Sequence, residues 1–369
     1  MDTEFLAPSS ARRDRHGRTR FRPLATAVAA LAIAVAACTS GASPSASIPA
    51  GATGSIAPAV TATPSPSPTA APAFPTTLTD DDGTAVTLAA EPQKIVSLTP
   101  SATETLFALG VGDRVVGKVE DLSVYPPEAA TVPDVAKFGS VDVERIVGLG
   151  ADLVIAGGNS FNPPDKIAQL RTLGVPVVVL YAPDIPTVLT DIELIGSAVG
   201  KAAEAKDLTS SMQAGFDQIQ AATSGLSKPR VFYEIDASQK IYTAADKSFL
   251  AAMIELAGGD PITTGSTTNF EIPLETLITK DPEIILLGDA AYGTTAAVVV
   301  GRPGWKVMTA VKAKAIKPVD DVVITRPGPR LVEGLRDLAA AIHPEANLPS
   351  AAPTSSDGAS SAPSASAAP

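Results

Sequence analysis

Cysteine, histidine and tryptophan are nearly absent from the 369-residue chain, which has one cysteine (Cys38), two histidines (His16 and His343) and one tryptophan (Trp305). A single cysteine excludes an intrachain disulfide. His16 falls in an N-terminal segment set apart below, which leaves only His343, beside Pro344 at the end of the last predicted helix. That placement disfavours a histidine general base in a central cleft. With so few histidines and cysteines there is no zinc set, and no clustering of histidines with carboxylates suggests manganese or iron. A Gly-x-Ser-x-Gly elbow is missing, as is a Gly-x-x-x-x-Gly-Lys-Ser/Thr phosphate loop. Gly110-Val-Gly112 lacks the third glycine of a dinucleotide fingerprint and reads as a turn. There is no basic stripe either: the formal net charge is -11. That argues against nucleic acid as a partner and reads as solubility. The paired acids Asp81-Asp82 and Asp320-Asp321 read as solvated turns. These absences leave little with which to build an enzyme.

The charge is unevenly spread. Residues 1–37 hold six arginines (Arg12, Arg13, Arg15, Arg18, Arg20 and Arg22) against three acids, so the rest of the chain carries 22 basic and 36 acidic residues, net -14. An apolar run from Pro23 to Ala37 follows the arginines and ends in small residues before Cys38. Its length is short of the roughly 20 residues that span a bilayer, so 1–37 reads as a signal peptide. Val35-Ala36-Ala37-Cys38 resembles a bacterial lipobox, in which the cysteine is lipidated and becomes the first residue after cleavage. Two or more acyl chains hold a protein firmly at a membrane. The expected location is the outer face of the cytoplasmic membrane. Residues 38–75, rich in Ser, Ala, Pro and Thr, read as a disordered tether whose ends lie roughly 30–40 Å apart, and residues 346–369 read as a disordered tail.

Between them, short apolar runs alternate with helical patterns. Lys94-Ile-Val-Ser-Leu98, Asp152-Leu-Val-Ile155, Pro176-Val-Val-Val-Leu180, Arg230-Val-Phe-Tyr233 and Glu283-Ile-Ile-Leu-Leu287 read as strands. Helices are expected at 101–109, where Ser101 and Glu104 have capping-box spacing, at 163–173, nearly continuously over 187–224, and at 331–342. This is α/β alternation with mostly parallel sheets flanked by helices. A faint repeat also appears. Val143-Glu144-Arg-Ile146-Val147 followed by Asp152-Leu-Val-Ile155 matches Leu274-Glu275-Thr-Leu277-Ile278 followed by Glu283-Ile-Ile-Leu286. Two similar lobes are therefore expected, 76–200 and 227–345, bridged by one long helix at 201–226, with a ligand cleft between them.

The segments Lys94 to Glu104, Tyr125-Pro-Pro-Glu128, Val143-Glu144-Arg-Ile-Val, Asp152-Leu-Val-Ile155, Gly301-Arg-Pro-Gly-Trp305 and Thr325-Arg326-Pro-Gly-Pro-Arg330 occur in this order along the chain. In that order they resemble the periplasmic binding proteins of cobalamin and ferric-siderophore ABC importers, the cobalamin type most. The resemblance implies a monomeric, non-enzymatic binding protein that delivers a ligand to a permease dimer with its ATPase and carries no cofactor. It implies permease docking through Glu144 and Glu275, and ligand contacts from Tyr125, Phe138, Tyr242, Phe270 and Arg326. Asn269 also lies near Phe270, and the Gly157-Gly158-Asn159 turn sits where the cobalamin type carries another aromatic. Aromatic planes suit a flat macrocycle. The single tryptophan departs from that type, so a ferric siderophore, or haem with Tyr125 or Tyr242 as axial ligand, stays open. Trp305, Phe232, Phe107 and Phe249 read as core, and Arg330 as an anchor for the last helix. A sensor lipoprotein or an enzyme on the same lobed architecture are the rival readings.

Overall fold

The computed structural model describes residues 74–159 and 161–350, all within one compact unit, Pro66–Pro369. The signal peptide, Cys38, nearly all of the tether and the tail beyond residue 350 lie outside the described residues.

Each apolar run forms a strand because it is buried on both faces, as parallel strands covered by helices must be. The first sheet has six strands: β3 (Ile95–Ser97), β4 (Val115–Val119), β5 (Asp134–Lys137), β6 (Ser140–Val141), β7 (Leu153–Gly157) and β8 (Val177–Leu180). Their order is β6-β5-β4-β3-β7-β8, parallel except for the β5–β6 hairpin. Helices α1 (Pro100–Ala108), α2 (Val143–Gly148) and α3 (Pro164–Thr172) connect them. An N-terminal hairpin, β1 (Thr76–Thr79) and β2 (Ala85–Leu88), closes the free edge of β8. There Asp81 donates its backbone N–H to Val179. The buried Asp80 carboxylate accepts from Val179 N at 3.1 Å and from Arg171 at 2.7 Å. Covering an edge strand in this way removes a template for aggregation.

The second sheet has four parallel strands in the order β10-β9-β11-β12: β9 (Arg230–Glu234), β10 (Asp260–Pro261), β11 (Ile284–Leu287) and β12 (Ile316–Pro318). Around it lie α6 (Phe249–Leu256), α7 (Leu274–Lys280), α8 (Ala296–Gly301), α9 (Thr309–Ala313), α10 (Asp321–Thr325) and α11 (Leu331–Ile342). Between the sheets in sequence come α4 (Ile185–Ala198) and α5 (Ala202–Thr223). The helical stretch expected over 187–224 is thus two helices. Gly200, with φ of 76°, takes the left-handed conformation that ends the first of them. At 22 residues, α5 is about 33 Å long and packs against α4, α6 and α11. Apolar residues of α5, Met212, Phe216 and Ile219, join one cluster that runs from Ile95 and Ile155 of the first sheet to Val231 and Leu286 of the second. Each sheet has a further cluster on its other face. A continuous core across both lobes resists wide hinge motion, because close-packed interiors rearrange in discrete steps and do not deform smoothly.

Trp305 and Phe232 are buried and meet edge-to-face at 6.0 Å, and Phe107 and Phe249 pack half-buried against the core. His343 is buried at the end of α11, with its Nε2 3.1 Å from the Gly258 carbonyl. No helix among the described residues is long and apolar enough to cross a membrane.

Two local expectations are corrected. The cap of α1 is Thr99, whose hydroxyl accepts from Ala102 N at 3.1 Å, because Pro100 starts the helix one residue before Ser101. Glu104 is then five residues beyond the cap, too far to reach back, and faces elsewhere. Asp320-Asp321 is not a solvated turn. Asp320 caps α10, and the half-buried Asp321 accepts from the Tyr233 hydroxyl at 2.8 Å.

Gly334 on α11 allows the closest helix approach. A Cβ there would lie 2.1 Å from the Val323 carbonyl oxygen, a backbone atom of α10 that has no side-chain freedom with which to yield. Gly334→Ala is expected to cost about 1–3 kcal/mol through overpacking. The melting temperature should fall by several degrees, at roughly 2–4 °C per kcal/mol for a domain of this size. An unchanged melting curve would refute the close-approach account.

Candidate functional site

The carboxyl ends of the two sheets face each other, and side chains on either side of the gap are bonded across it. Glu104 on α1 follows β3, and Asp121 follows β4. Arg326 ends α10 and Arg330 precedes α11, both after β12. The Glu104 carboxylate is 3 % exposed. It accepts from Arg326 at 2.7 Å and from Arg330 at 2.7 and 3.1 Å. Asp121 takes Arg326 in a two-pronged pair, 3.0 Å on each arm, and the Ser123 carbonyl adds a contact at 3.4 Å. The Arg330 guanidinium lies 4.1 Å over the Tyr125 ring, a cation–π contact. Gly328 sits between the two arginines, and a Cβ there would be 3.5 Å from Ser101 of the opposite lobe. Two charges of each sign, largely out of solvent, are thus paired across the interlobe boundary.

Exposed apolar side chains stand on the loops at the carboxyl ends of the strands. Of the eleven large apolar residues exposed among the described residues, Leu122, Phe138, Tyr181, Ile235 and Tyr292 lie in segments that directly follow β4, β5, β8, β9 and β11. Phe138 is 81 % exposed at the tip of the β5–β6 hairpin, and its ring meets Phe161 edge-to-face at 5.7 Å. Gly157 makes room for Phe161, since a Cβ would come 2.9 Å from that ring. Asn162 closes the turn by accepting from Gly157 N at 2.7 Å and donating to the Leu98 carbonyl at 3.3 Å. On the second lobe, Tyr242 bridges Asp236 and Glu271. Thr243 donates its N–H to the Phe270 carbonyl at 2.9 Å, which brings Tyr242 and Phe270 together. Phe270 is 43 % exposed.

The second lobe's wall stands on buried acids. Glu234, at the end of β9, is fully buried and pairs with Arg302 through both oxygens at 2.6 and 2.7 Å. Burial, reinforced by neighbouring Asp289, still holds its carboxyl above the usual range despite Arg302. Asp289 accepts from Thr294 at 2.7 Å through one oxygen, and its other oxygen is buried without a partner. Burial likewise raises Asp321.

The sequence-predicted residues therefore fall into three groups. Phe138 stands with Phe161, which sequence reasoning missed because the aromatic comes two residues after the Gly157-Gly158-Asn159 turn. Tyr242 stands with Phe270. Tyr125 and Arg326 belong to the cross-lobe cluster, where the Arg326 charge is met by protein carboxylates. Tyr292 and Leu122 carry no signal in sequence that sets them apart from core residues. Glu144 and Glu275 are exposed and occupy the same place in their lobes, the second residue of α2 and of α7, where an acid is favoured by the helix dipole. Neither has an ion-pair partner among the described residues.

Comparison with known proteins bears on this arrangement. Residues 95–322 match the periplasmic binding protein family. An ABC transporter substrate-binding lipoprotein of Bacillus subtilis is 35% identical over 277 residues, covering 74% of this chain and 87% of the relative. A cobalamin-binding protein of Halobacterium salinarum is 32% identical over 285 residues, 73% of this chain and 75% of the relative. The apo structure of a periplasmic haem-binding protein from Roseiflexus sp. RS-1 superposes with a TM-score of 0.61 at 26% identity, covering 68% of this chain and 98% of that one. With two α/β sheets joined across their carboxyl ends and this kinship, the chain belongs to the periplasmic binding protein family as a substrate-binding protein of an ABC importer.

Proposed function

We propose that the protein captures a cobalamin-like corrinoid in the interlobe gap and delivers it to its permease. The observation that carries this reading is the set of aromatic side chains on the two edges: exposed Phe138 with half-buried Phe161 on one, and exposed Phe270 and Tyr292 with half-buried Tyr242 on the other. Flat apolar surfaces on opposed walls complement the faces and rim of a large macrocycle, and a few polar groups fix its orientation. The 32% identical Halobacterium relative is named as a cobalamin-binding protein, which points the same way. Anchoring through acylated Cys38 at the outer face of the cytoplasmic membrane, action as a monomer, and docking through Glu144 and Glu275 complete the reading.

The test is calorimetric titration of the purified protein with cyanocobalamin, and with haemin and a ferric hydroxamate in parallel. Submicromolar one-to-one binding of the corrinoid is expected, and ligand that binds only the folded state should raise the melting temperature. Phe138→Ala should weaken binding about tenfold, the loss of a well-packed aromatic contact of roughly 1–1.5 kcal/mol. Binding of haemin or hydroxamate alone would replace the corrinoid with an iron ligand.

A further inference from the structure

We propose that Glu104 and Asp121 determine the charge of the ligand the gap accepts, by neutralising Arg326 and Arg330 so that the site admits a ligand without net negative charge in the region it covers. This deepens the corrinoid reading and rests on the gap being the ligand site. Arginine is the side chain by which proteins meet carboxylates and phosphates, since its planar fork binds two oxygens at once. An anionic ligand, such as a porphyrin dicarboxylate or an acidic siderophore, calls for such a fork to be open. Both arginines at the carboxyl edge are closed. Arg326 spends Nη1 on Glu104, Asp121 and the Ser123 carbonyl, and Nη2 on Asp121. Arg330 spends Nε and Nη2 on Glu104 while Tyr125 covers one face of its guanidinium. Arg302, the cation of the second lobe's edge, is closed in the same way on both oxygens of Glu234.

On the first lobe's edge the exposed Lys137 ends β5 beside Phe138; on the second lobe's edge the charge beside the closed Arg302 is acidic. Asp289, Asp320 and Asp321 line the second lobe beside Glu234, and one oxygen of Asp289 is buried without a donor. A carboxylate brought to the second lobe's edge would meet like charge, and to reach any of the three arginines it would have to take a guanidinium from a buried partner. Stripping one member from a buried pair is unfavourable because it leaves an uncompensated charge. A neutral ligand meets neither obstacle. Glu104 and Asp121 touch the arginines, not the ligand, so they are positioning residues for specificity.

The experiment uses matched ligands, cyanocobalamin and its monocarboxylate derivatives, in which one peripheral amide is replaced by a carboxylate, with haemin as a separate dianionic probe. The wild-type protein is compared with Asp121→Asn, Glu104→Gln and Arg326→Gln, and melting curves identify variants that fail to fold. Asp121→Asn is the informative change because its loop position spares the core. It should strengthen binding of haemin and of the carboxylate derivatives at least fivefold, with less than a threefold effect on cyanocobalamin, and this gain should shrink in high salt as a charge effect must. Arg326→Gln should leave cyanocobalamin affinity within threefold.

No change in any carboxylate ligand in folded Asp121→Asn or Glu104→Gln would overturn the proposal. So would a tenfold loss of wild-type ligand binding in folded Arg326→Gln, which would make that arginine a ligand contact. Failure of cyanocobalamin to bind the wild type, with haemin still gaining in Asp121→Asn, would sink the corrinoid reading and leave the charge rule standing.

Discussion

The protein is expected to lose stability as pH rises from about 4 to about 8, and Asp191→Asn is expected to remove the share of that loss that the Asp191 carboxyl causes, beside the raised carboxyls of Glu234 and Asp321. Asp191 sits on α4 under the N-terminal hairpin and is buried. Burial first, and then the neighbouring charges of Asp81 and Asp184, push its carboxyl up to about 8 from an ordinary 3.8. Asp81 itself is held in place by the backbone N–H of Tyr181 at 2.5 Å. Asp184 is fixed as the cap of α4 by Thr187. The folded state therefore keeps a proton on Asp191 that the unfolded chain gives up above about pH 4. Stability falls wherever the folded state binds more protons than the unfolded one. The contribution is complete below 3.8, declines through the interval and is gone above about 8. At about 1.4 kcal/mol per pH unit, the whole span is on the order of several kcal/mol. Asparagine copies the shape of the protonated acid and has no proton to lose. The measurement is the urea midpoint of wild type and Asp191→Asn at pH 5, 7 and 9, with Asp81→Asn as a partial version. Taking the difference between the curves cancels other titrating groups, such as Asp184 and Glu193, whose carboxyls are lowered by hydrogen bonds and act in the opposite sense. Parallel curves for wild type and Asp191→Asn would show that the carboxyl is not protonated in the fold.

Asp191 also marks where sequence reading stopped. Apolar runs such as Pro176-Val-Val-Val-Leu180 announce buried parallel strands, because they are short, rich in β-branched residues and bounded by turn residues. The last helix was legible from its spacing, with Leu331, Leu335, Leu338 and Ile342 on one buried face. β4 was not, since Gly117 and Lys118 break its apolar pattern, and Lys118 is buried only because Asp134 of β5 pairs with it. The β1–β2 hairpin alternates polar and apolar residues over four positions per strand and gave no clear period. Phe138 and Phe270 came from the family resemblance, six and five residues before Glu144 and Glu275. The Glu104–Arg326–Arg330 cluster was not legible, because its members are more than 220 residues apart and only the meeting of the two lobes makes them neighbours. Local rules assigned Glu104 to a helix cap, and Pro100 together with tertiary pairing took it elsewhere.

The repeat that sequence did reveal leads to the prediction with the clearest biological readout. Charge reversal at both Glu144 and Glu275 is expected to cut import at least tenfold while leaving ligand binding intact. Each glutamate is exposed at the second position of a short helix that precedes a central strand, β7 in one lobe and β11 in the other. Neither side chain supports the fold: the Thr279 hydroxyl bonds only the backbone carbonyl of Glu275, and Glu144 accepts no side-chain bond among the described residues. Reversal should therefore cost no more than the helix-dipole preference, roughly 0.3–1 kcal/mol at each site, with little change in melting temperature. Across an interface the effect is larger, because a charge set against its own sign costs several kcal/mol and slows the steered encounter that opposite charges speed. Single Glu→Lys variants should slow uptake in proportion, and the Glu144→Lys/Glu275→Lys double variant should reduce it at least tenfold, with wild-type affinity in calorimetry. A receptor with one acceptor site on each of two subunits would also show the singles to be similar, since each removes one of two equivalent anchors. Wild-type uptake by the folded double variant would mean that docking uses another surface, and the matching places of the two glutamates would then reflect nothing beyond the shared chemistry of helix N-termini.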